Sequence, residues 1–194
     1  MTVEADPVLI EARLAAGQLA CPGCRNRLRP WGWARRRSVL GIAESFTPRR
    51  VRCSGCLLTH VLLPVTVLLR RGHAADVIGA ALSDRAAGAG HRLIASRLSV
   101  PAATVRGWLR VMNRRLEATR LFLLQVAHRA AVDLRVPESL GCPWRDLLAA
   151  LGAATAVLAG RFGLVGVLGP VTAWQVAVAC SAGRLLAPGW PPAA

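Results

Sequence analysis

Residues 91–115 read HRLIASRLSVPAATVRGWLRVMNRR, and the spacing of apolar residues in this stretch decides the architecture. Leu93, Ile94 and Leu98 recur at helical intervals and predict a short helix over 91–98 with those three inward. Ser99-Val100-Pro101 forms a break. A further helix is predicted from near Ala102, because Val105, Trp108, Leu109 and Met112 share one face. Its opposite face carries Ala102, Ala103, Thr104, Arg106, Gly107 and Arg110. Upstream, Val77, Ile78, Ala81 and Leu82 make another apolar stripe, closed by Gly88-Ala89-Gly90. Residues 65–120 therefore read as a three-helix unit.

The same stretch resembles a helix-turn-helix unit. Ile94 and Ala95 fill the apolar-then-alanine positions of the first helix, and Leu98, Ser99 and Val100 fill the turn. Val105 and Trp108 fill the apolar positions of the second helix. Ser99 stands where glycine is commonest, which implies a slightly strained turn, and Pro101 takes a usual polar capping slot. The resemblance implies that the outer face of the third helix enters the major groove of double-stranded DNA. Arg106 would read guanine, and Arg110 would read a base or hold a phosphate. Ala102, Ala103 and Thr104 could touch thymine methyls, while Arg92, Arg97, Arg114 and Arg115 would position the backbone.

Four of the six cysteines form two equal spacings, Cys21-Pro22-Gly23-Cys24 and Cys53-Ser54-Gly55-Cys56. Two intervening residues let one tight turn aim both sulfurs at one ion, with Gly23 and Gly55 expected to supply left-handed backbone geometry. Two such turns complete a tetrahedral site of Cys21, Cys24, Cys53 and Cys56, for which Zn²⁺ is the natural occupant. The 28 residues between the pairs exceed the roughly 15–20 of a common zinc ribbon. A long hairpin accounts for them, with Trp31, Trp33 and Val39 alternating, a break near Gly41 and Val51 before the second turn. A third strand is expected over Leu57–Leu63. The competing reading, two redox dithiols, lacks a thioredoxin-type context. His60 could replace a thiolate but suits an ordinary strand position. Cys142 and Cys180 read as buried thiols.

Charge separates the chain. All 25 basic side chains are arginine, against 10 acids, for a net charge of +15. Lysine is absent, which excludes Schiff-base and phosphate-loop lysine chemistry. Residues 21–120 hold 19 arginines and only Glu44, Asp76, Asp84 and Glu117, so that block alone carries the whole net charge. Such a block faces a polyanion. Around the cysteines, Arg25, Arg27, Arg29, Arg35, Arg36, Arg37, Arg49, Arg50 and Arg52 cannot all be buried, and Arg35–Arg37 form a candidate phosphate-contacting run.

A four-cysteine ribbon followed by these helices resembles the N-terminal half of bacterial insertion-sequence transposases and short actinobacterial proteins of that architecture. The resemblance covers roughly residues 18–120. A transposase core needs three carboxylates for two metal ions, yet beyond residue 120 only Asp133, Glu138 and Asp146 remain. The four histidines are scattered, so no enzyme is expected.

The expected fold is mainly α with a small β zinc ribbon. Asp6-Pro7 and Gly17 bound a lead-in helix within 1–20, without the apolar core of a signal peptide. The ribbon covers 21–64, the helix-turn-helix domain 65–120, an apolar helical region 121–187 and a tail 188–194. Within the apolar region, helices over about 144–160 and 171–183 form a hairpin packed through Trp144 and Trp174, joined by a Gly-rich turn. That hairpin could serve a homodimer. The 22-residue run 162–183 is charge-free and also long enough for a bilayer. Two alternatives follow: a membrane-tethered zinc protein with a cytosolic, anti-sigma-like head, or an RNA-binding ribbon stacking bases on Trp31 and Trp33. The leading expectation is a cytoplasmic, nucleoid-associated DNA-binding protein.

Overall fold

The computed structural model describes residues 1–163, 165–166 and 169–192. Parts of the Gly-rich turn and of the 188–194 tail fall outside these. The described chain is mainly helical with small sheets, in the order β1 (Thr2–Val3), α1 (Pro7–Ala15), β2 (Leu28–Trp33), β3 (Arg49–Cys53), β4 (Thr59–Val61) and β5 (Leu63–Pro64). Then come α2 (Ala75–Ala86), α3 (His91–Leu98), α4 (Ala102–Asn113), α5 (Leu116–Ala130) and α6 (Pro143–Phe162). Two short strands, β6 (Val165–Gly166) and β7 (Gly169–Pro170), precede α7 (Ala173–Cys180).

The start of α1 follows local chemistry. Asp6 accepts a hydrogen bond from the Val8 N–H at 2.8 Å and Pro7 opens the first turn. Ile10 and Leu14 then pack on Leu28, Val51 and Leu62 in the N-terminal core. The main sheet is antiparallel in the order β2-β3-β4. The expected third strand is shorter than 57–63, because the second cysteine turn runs on through Leu57, at φ +62°. Leu63 and Pro64 leave this sheet and pair in parallel with Thr2 and Val3. Residues 34–48 continue the hairpin loosely, with the Ala34 N–H donating to Pro48 O at 2.8 Å, Arg37 and Phe46 exchanging N–H···O bonds at 2.8 and 3.0 Å, and a turn at Gly41, φ +89°. They fold back so that Val39 joins Leu63, Val67 and Ala74, and Leu40 bridges His73 before α2.

The helices agree closely with the sequence period. Ile78, Ala81 and Leu82 of α2, Ile94 and Ala95 of α3, and Val105, Trp108, Leu109 and Met112 of α4 meet in one core. Leu93, expected inward, is half exposed at 50%. It lies beside Ile94 on an eight-residue helix whose inward arc holds only Ile94, Ala95 and Leu98. Ser99 takes φ +53°, the left-handed conformation that its place in the turn demands.

The C-terminal region differs most from expectation. The most extensive partner of α6 is α5, which runs through position 120, and not α7. Leu123, Leu124 and Ala127 of α5 join Leu147, Leu151 and Ala154 of α6 in the same core as α2–α4. Trp144 is buried there, but Trp174 crosses to α2. A Cβ on Gly79 would sit 2.1 Å from the Trp174 indole, so this glycine is the seat on which the ring lies. Gly79→Ala should therefore cost about 1–3 kcal/mol through forced displacement of the ring. A lowered Tm with altered tryptophan fluorescence would register it; an unchanged Tm would refute the packing argument.

The run 162–183 is not one helix. α6 ends at Gly163 in left-handed geometry, and α7 is eight residues long. Among the described residues no helix is long and apolar enough to cross a membrane.

Candidate functional site

Two cysteine turns face each other at the end of the three-stranded sheet. In the first, the Cys21 N–H donates to Asn26 O at 2.8 Å and the Arg25 N–H to Cys21 O at 2.9 Å. In the second, the Cys53 N–H donates to Leu58 O at 2.9 Å. The left-handed residues are Arg25 and Leu57, each directly after the second cysteine of its pair, and not Gly23 and Gly55. Gly55 is small for another reason, since a Cβ there would meet the Asn26 side chain at 2.5 Å.

These turns bring the sulfurs of Cys21, Cys24, Cys53 and Cys56 within 4.8 Å of one another. Cys24 Sγ and Cys53 Sγ are 3.3 Å apart, and Cys21 Sγ and Cys56 Sγ 3.7 Å. A tetrahedron of sulfurs about 2.3 Å from a central ion has edges of about 3.8 Å, so the cluster fits a four-thiolate metal site. Cys21 and Cys53 are buried, while Cys24 and Cys56 face solvent.

The protons on the four thiols are unevenly held. The Asn26 N–H, with the Cys53 sulfur and the Asn26 side chain, brings the Cys24 thiol down to about 6. At Cys56 the Leu58 N–H pulls downward, but desolvation and the other three sulfurs outweigh it and push the thiol up to about 12. Four thiolates this close repel one another, and a bound cation removes that conflict. His60 is not one of the four. Its Nε2 lies 3.4 Å from Cys21 Sγ, the position of a ring N–H supporting a ligand sulfur from behind. Its closeness to Cys21 was not legible from its place four residues after Cys56.

The arginines divide into free and engaged sets. Arg106 and Arg110 are exposed on α4, and no side-chain or backbone acceptor meets either among the described residues. Ala103 is exposed on the same helix and Thr104 half-buried, whereas Ala102 packs partly against the core. Arg114 is exposed. Arg97 is exposed but pairs with Asp84 at 3.4 Å. Arg35 and Arg37 are exposed, and Arg36 donates to Ser45 Oγ at 2.6 Å.

Arg115 departs from its expected role. Its guanidinium donates to the carbonyls of Ala187 and of Trp190, the latter at 2.8 Å, and so ties the C-terminal segment to the start of α5. It is a tether and not a free phosphate contact. Arg115→Met should cost about 1–3 kcal/mol, because two partly buried carbonyls lose a charged donor. Limited proteolysis should show earlier cleavage near 187–190, and unchanged cleavage would contradict the assignment.

Trp31 and Trp33 do not form one platform. Arg52 lies over Trp31 at 4.6 Å and Arg49 over Trp33 at 4.4 Å. Residues 49, 51 and 53 share one face of β3, while 50 and 52 share the other. Arg49 is on the α1 side, with its Nε 3.0 Å from Glu11 as an ion pair not aligned for a hydrogen bond. A register shift between Pro30 and Trp33 accompanies this, with Gly32 at φ +91°. The two indoles thus stand on opposite faces, each exposed, and do not form one continuous stacking surface.

The acids of the C-terminal half are structural or dispersed. Asp146 accepts from the Leu140 N–H at 2.6 Å and from Ser139 Oγ at 3.0 Å, closing the loop before α6.

Residues 21–108 match a family described as a domain of unknown function, DUF6431. That span takes in both cysteine pairs and ends inside α4. No curated protein and no solved structure matches the chain.

Proposed function

We propose that the protein is a sequence-specific binder of double-stranded DNA, built on a zinc ribbon and a helix-turn-helix unit. It would act as a transcriptional regulator or beside a mobile element, without a transposase catalytic core, and as a binding protein and not an enzyme. The observation that carries this reading is α4. Its inner face, Val105, Trp108, Leu109 and Met112, is locked in the core, while Arg106 and Arg110 stand outside without an internal partner. An arginine pair one turn apart on a rigid helix suits guanine edges in the major groove. Zinc is the preferred ion because four thiolates in tetrahedral reach favour it over oxygen-seeking cations. A second copy of the chain is part of the reading, since Val132, Val136 and Leu140 are each exposed in the segment before α6.

Gly107 adds support. Nothing in the fold lies within 4 Å of a Cβ placed there. A glycine inside an exposed helix costs about 1 kcal/mol relative to alanine, and no internal packing explains it. Close approach of a duplex backbone would. Gly107→Ala is expected to raise Tm while weakening duplex binding, and a rise in Tm with unchanged affinity would remove this support.

Selection of bound duplexes from a random pool tests the reading as a whole. An enriched motif establishes specific readout, and a two-fold symmetric motif establishes a dimer. A pool that stays random overturns it.

A further inference from the structure

We propose that the cleft framed by Arg85, His91, Arg106, Arg110 and Asn113 is a binding site for a phosphate group. The cleft, of about 360 Å³, opens where the end of α2, the start of α3, the outer face of α4 and the first turn of α6 meet. Three guanidinium groups and one imidazole line it, and no carboxylate does. The acid closest in sequence, Asp84, is engaged with Arg97. Arg85 reaches only the Ala89 carbonyl at 3.4 Å, a weak contact. Like charges that converge without a counter-ion focus an attractive field for an anion.

Two further features sharpen the choice of ligand. α3 starts at Gly90, which has no side chain to cap the helix, so its first N–H groups lack an intrahelical acceptor at the cleft wall. Beneath lie Trp144 and Leu109, both buried, so charged hydrogen bonds form over an apolar floor where they are strong. Arg145 fixes this corner by donating to the Ala86 carbonyl. Arginines arriving from two helices, with Asn113 beside them, suit a tetrahedral group with several acceptor oxygens better than a planar carboxylate with two.

The phosphate has two sources. It is a backbone phosphate of the duplex, held by Arg85, His91 and Arg110 while Arg106 turns to a base, which rests on the DNA-binding reading, or it belongs to a free phosphorylated molecule. A free ligand would occupy Arg106 and Arg110 and so displace DNA. In the second case the cleft would make duplex binding responsive to a small anion.

Calorimetric titration of the full, metal-loaded chain with inorganic pyrophosphate tests the site. Binding is expected, with about a tenfold or greater loss in Arg85→Gln and none in Arg129→Gln, an exposed arginine outside the cleft. Asn113→Ala provides a second lining variant should Arg85→Gln fold poorly. In parallel, duplexes carrying single uncharged methylphosphonate linkages are compared on wild type and Arg85→Gln. A linkage that weakens wild type but not the variant assigns the cleft to DNA backbone. Arg85-dependent pyrophosphate binding without any duplex binding keeps the cleft, assigns it to a free ligand and overturns the DNA reading. Duplex binding that ignores Arg85, together with no Arg85-dependent pyrophosphate binding, overturns the cleft and leaves the DNA reading intact.

Discussion

Removing the metal ion with a strong chelator should melt the N-terminal sheet and leave the helical body folded. The N-terminal core consists of Val3, Ile10, Leu14, Leu19, Leu28, Val51 and Leu62 together with Cys21 and Cys53 themselves. A core so small, two of whose members belong to the candidate metal site, would depend on a bound ion. A structural zinc site contributes on the order of 10 kcal/mol, released only when the ligands are assembled. The helical core is a separate cluster reaching from Leu68 to Trp190, and contains none of the four ligands. Calorimetry should therefore show a transition that vanishes on chelation, or in Cys53→Ser, beside one that persists. A single transition indifferent to chelator would defeat this picture. Ion uptake should also release protons. Near neutral pH the Cys24 thiol, at about 6, is largely ionised already, whereas Cys56, at about 12, must lose its proton on binding. Affinity for the ion is thus expected to weaken as pH falls, and a pH-independent affinity would show that the thiols are not the ligands.

Duplex affinity should fall steeply with salt, and Arg106→Ala should flatten sequence preference. On the proposed reading, about 6–10 phosphate contacts release that many counter-ions, so raising salt from 50 to 200 mM would cost about 10³–10⁵ in affinity. Free exposed arginines at Arg35, Arg37, Arg110 and Arg114 supply a share of these contacts. Loss of a bidentate base contact at Arg106 would cost about 1–3 kcal/mol on the preferred sequence and little on random DNA. Arg36→Ala should weaken all duplexes alike. Arg115→Ala should leave the salt slope unchanged, because that guanidinium is held by Ala187 and Trp190. Fluorescence anisotropy over a salt series separates these variants. A shallow slope would end the polyanion reading, and retained preference in Arg106→Ala would move base recognition elsewhere.

Much of this arrangement could be read from residue spacing. The four-cysteine cluster followed from two matched pairs, and the inward face of α4 followed from Val105, Trp108, Leu109 and Met112, because both rest on local geometry. The misreadings share one cause, which is dependence on partners distant in sequence. Gly23 and Gly55 invite left-handed assignment, yet that geometry falls on Arg25 and Leu57, where backbone hydrogen bonding across the turn sets it. Trp174 was expected against α6 and instead lies on Gly79, nearly a hundred positions earlier. Arg115 carries the same charge whether it meets a phosphate or a carbonyl, so its neighbours on α4 could not reveal its engagement. The opposite facing of Trp31 and Trp33 turns on one register shift, which strict alternation cannot anticipate.

The joining of α2–α4 with α5, α6 and the C-terminal segment in a single core has a practical edge. Anyone hoping to graft α4 onto another scaffold cannot stop at Arg120. Such a cut would remove Leu123, Leu124, Trp144 and Leu147 from the core that also holds Trp108 and Met112, and leave Arg115 grasping at nothing. The unit to move is the whole stretch from Leu68 to Trp190, whose buried residues form that core.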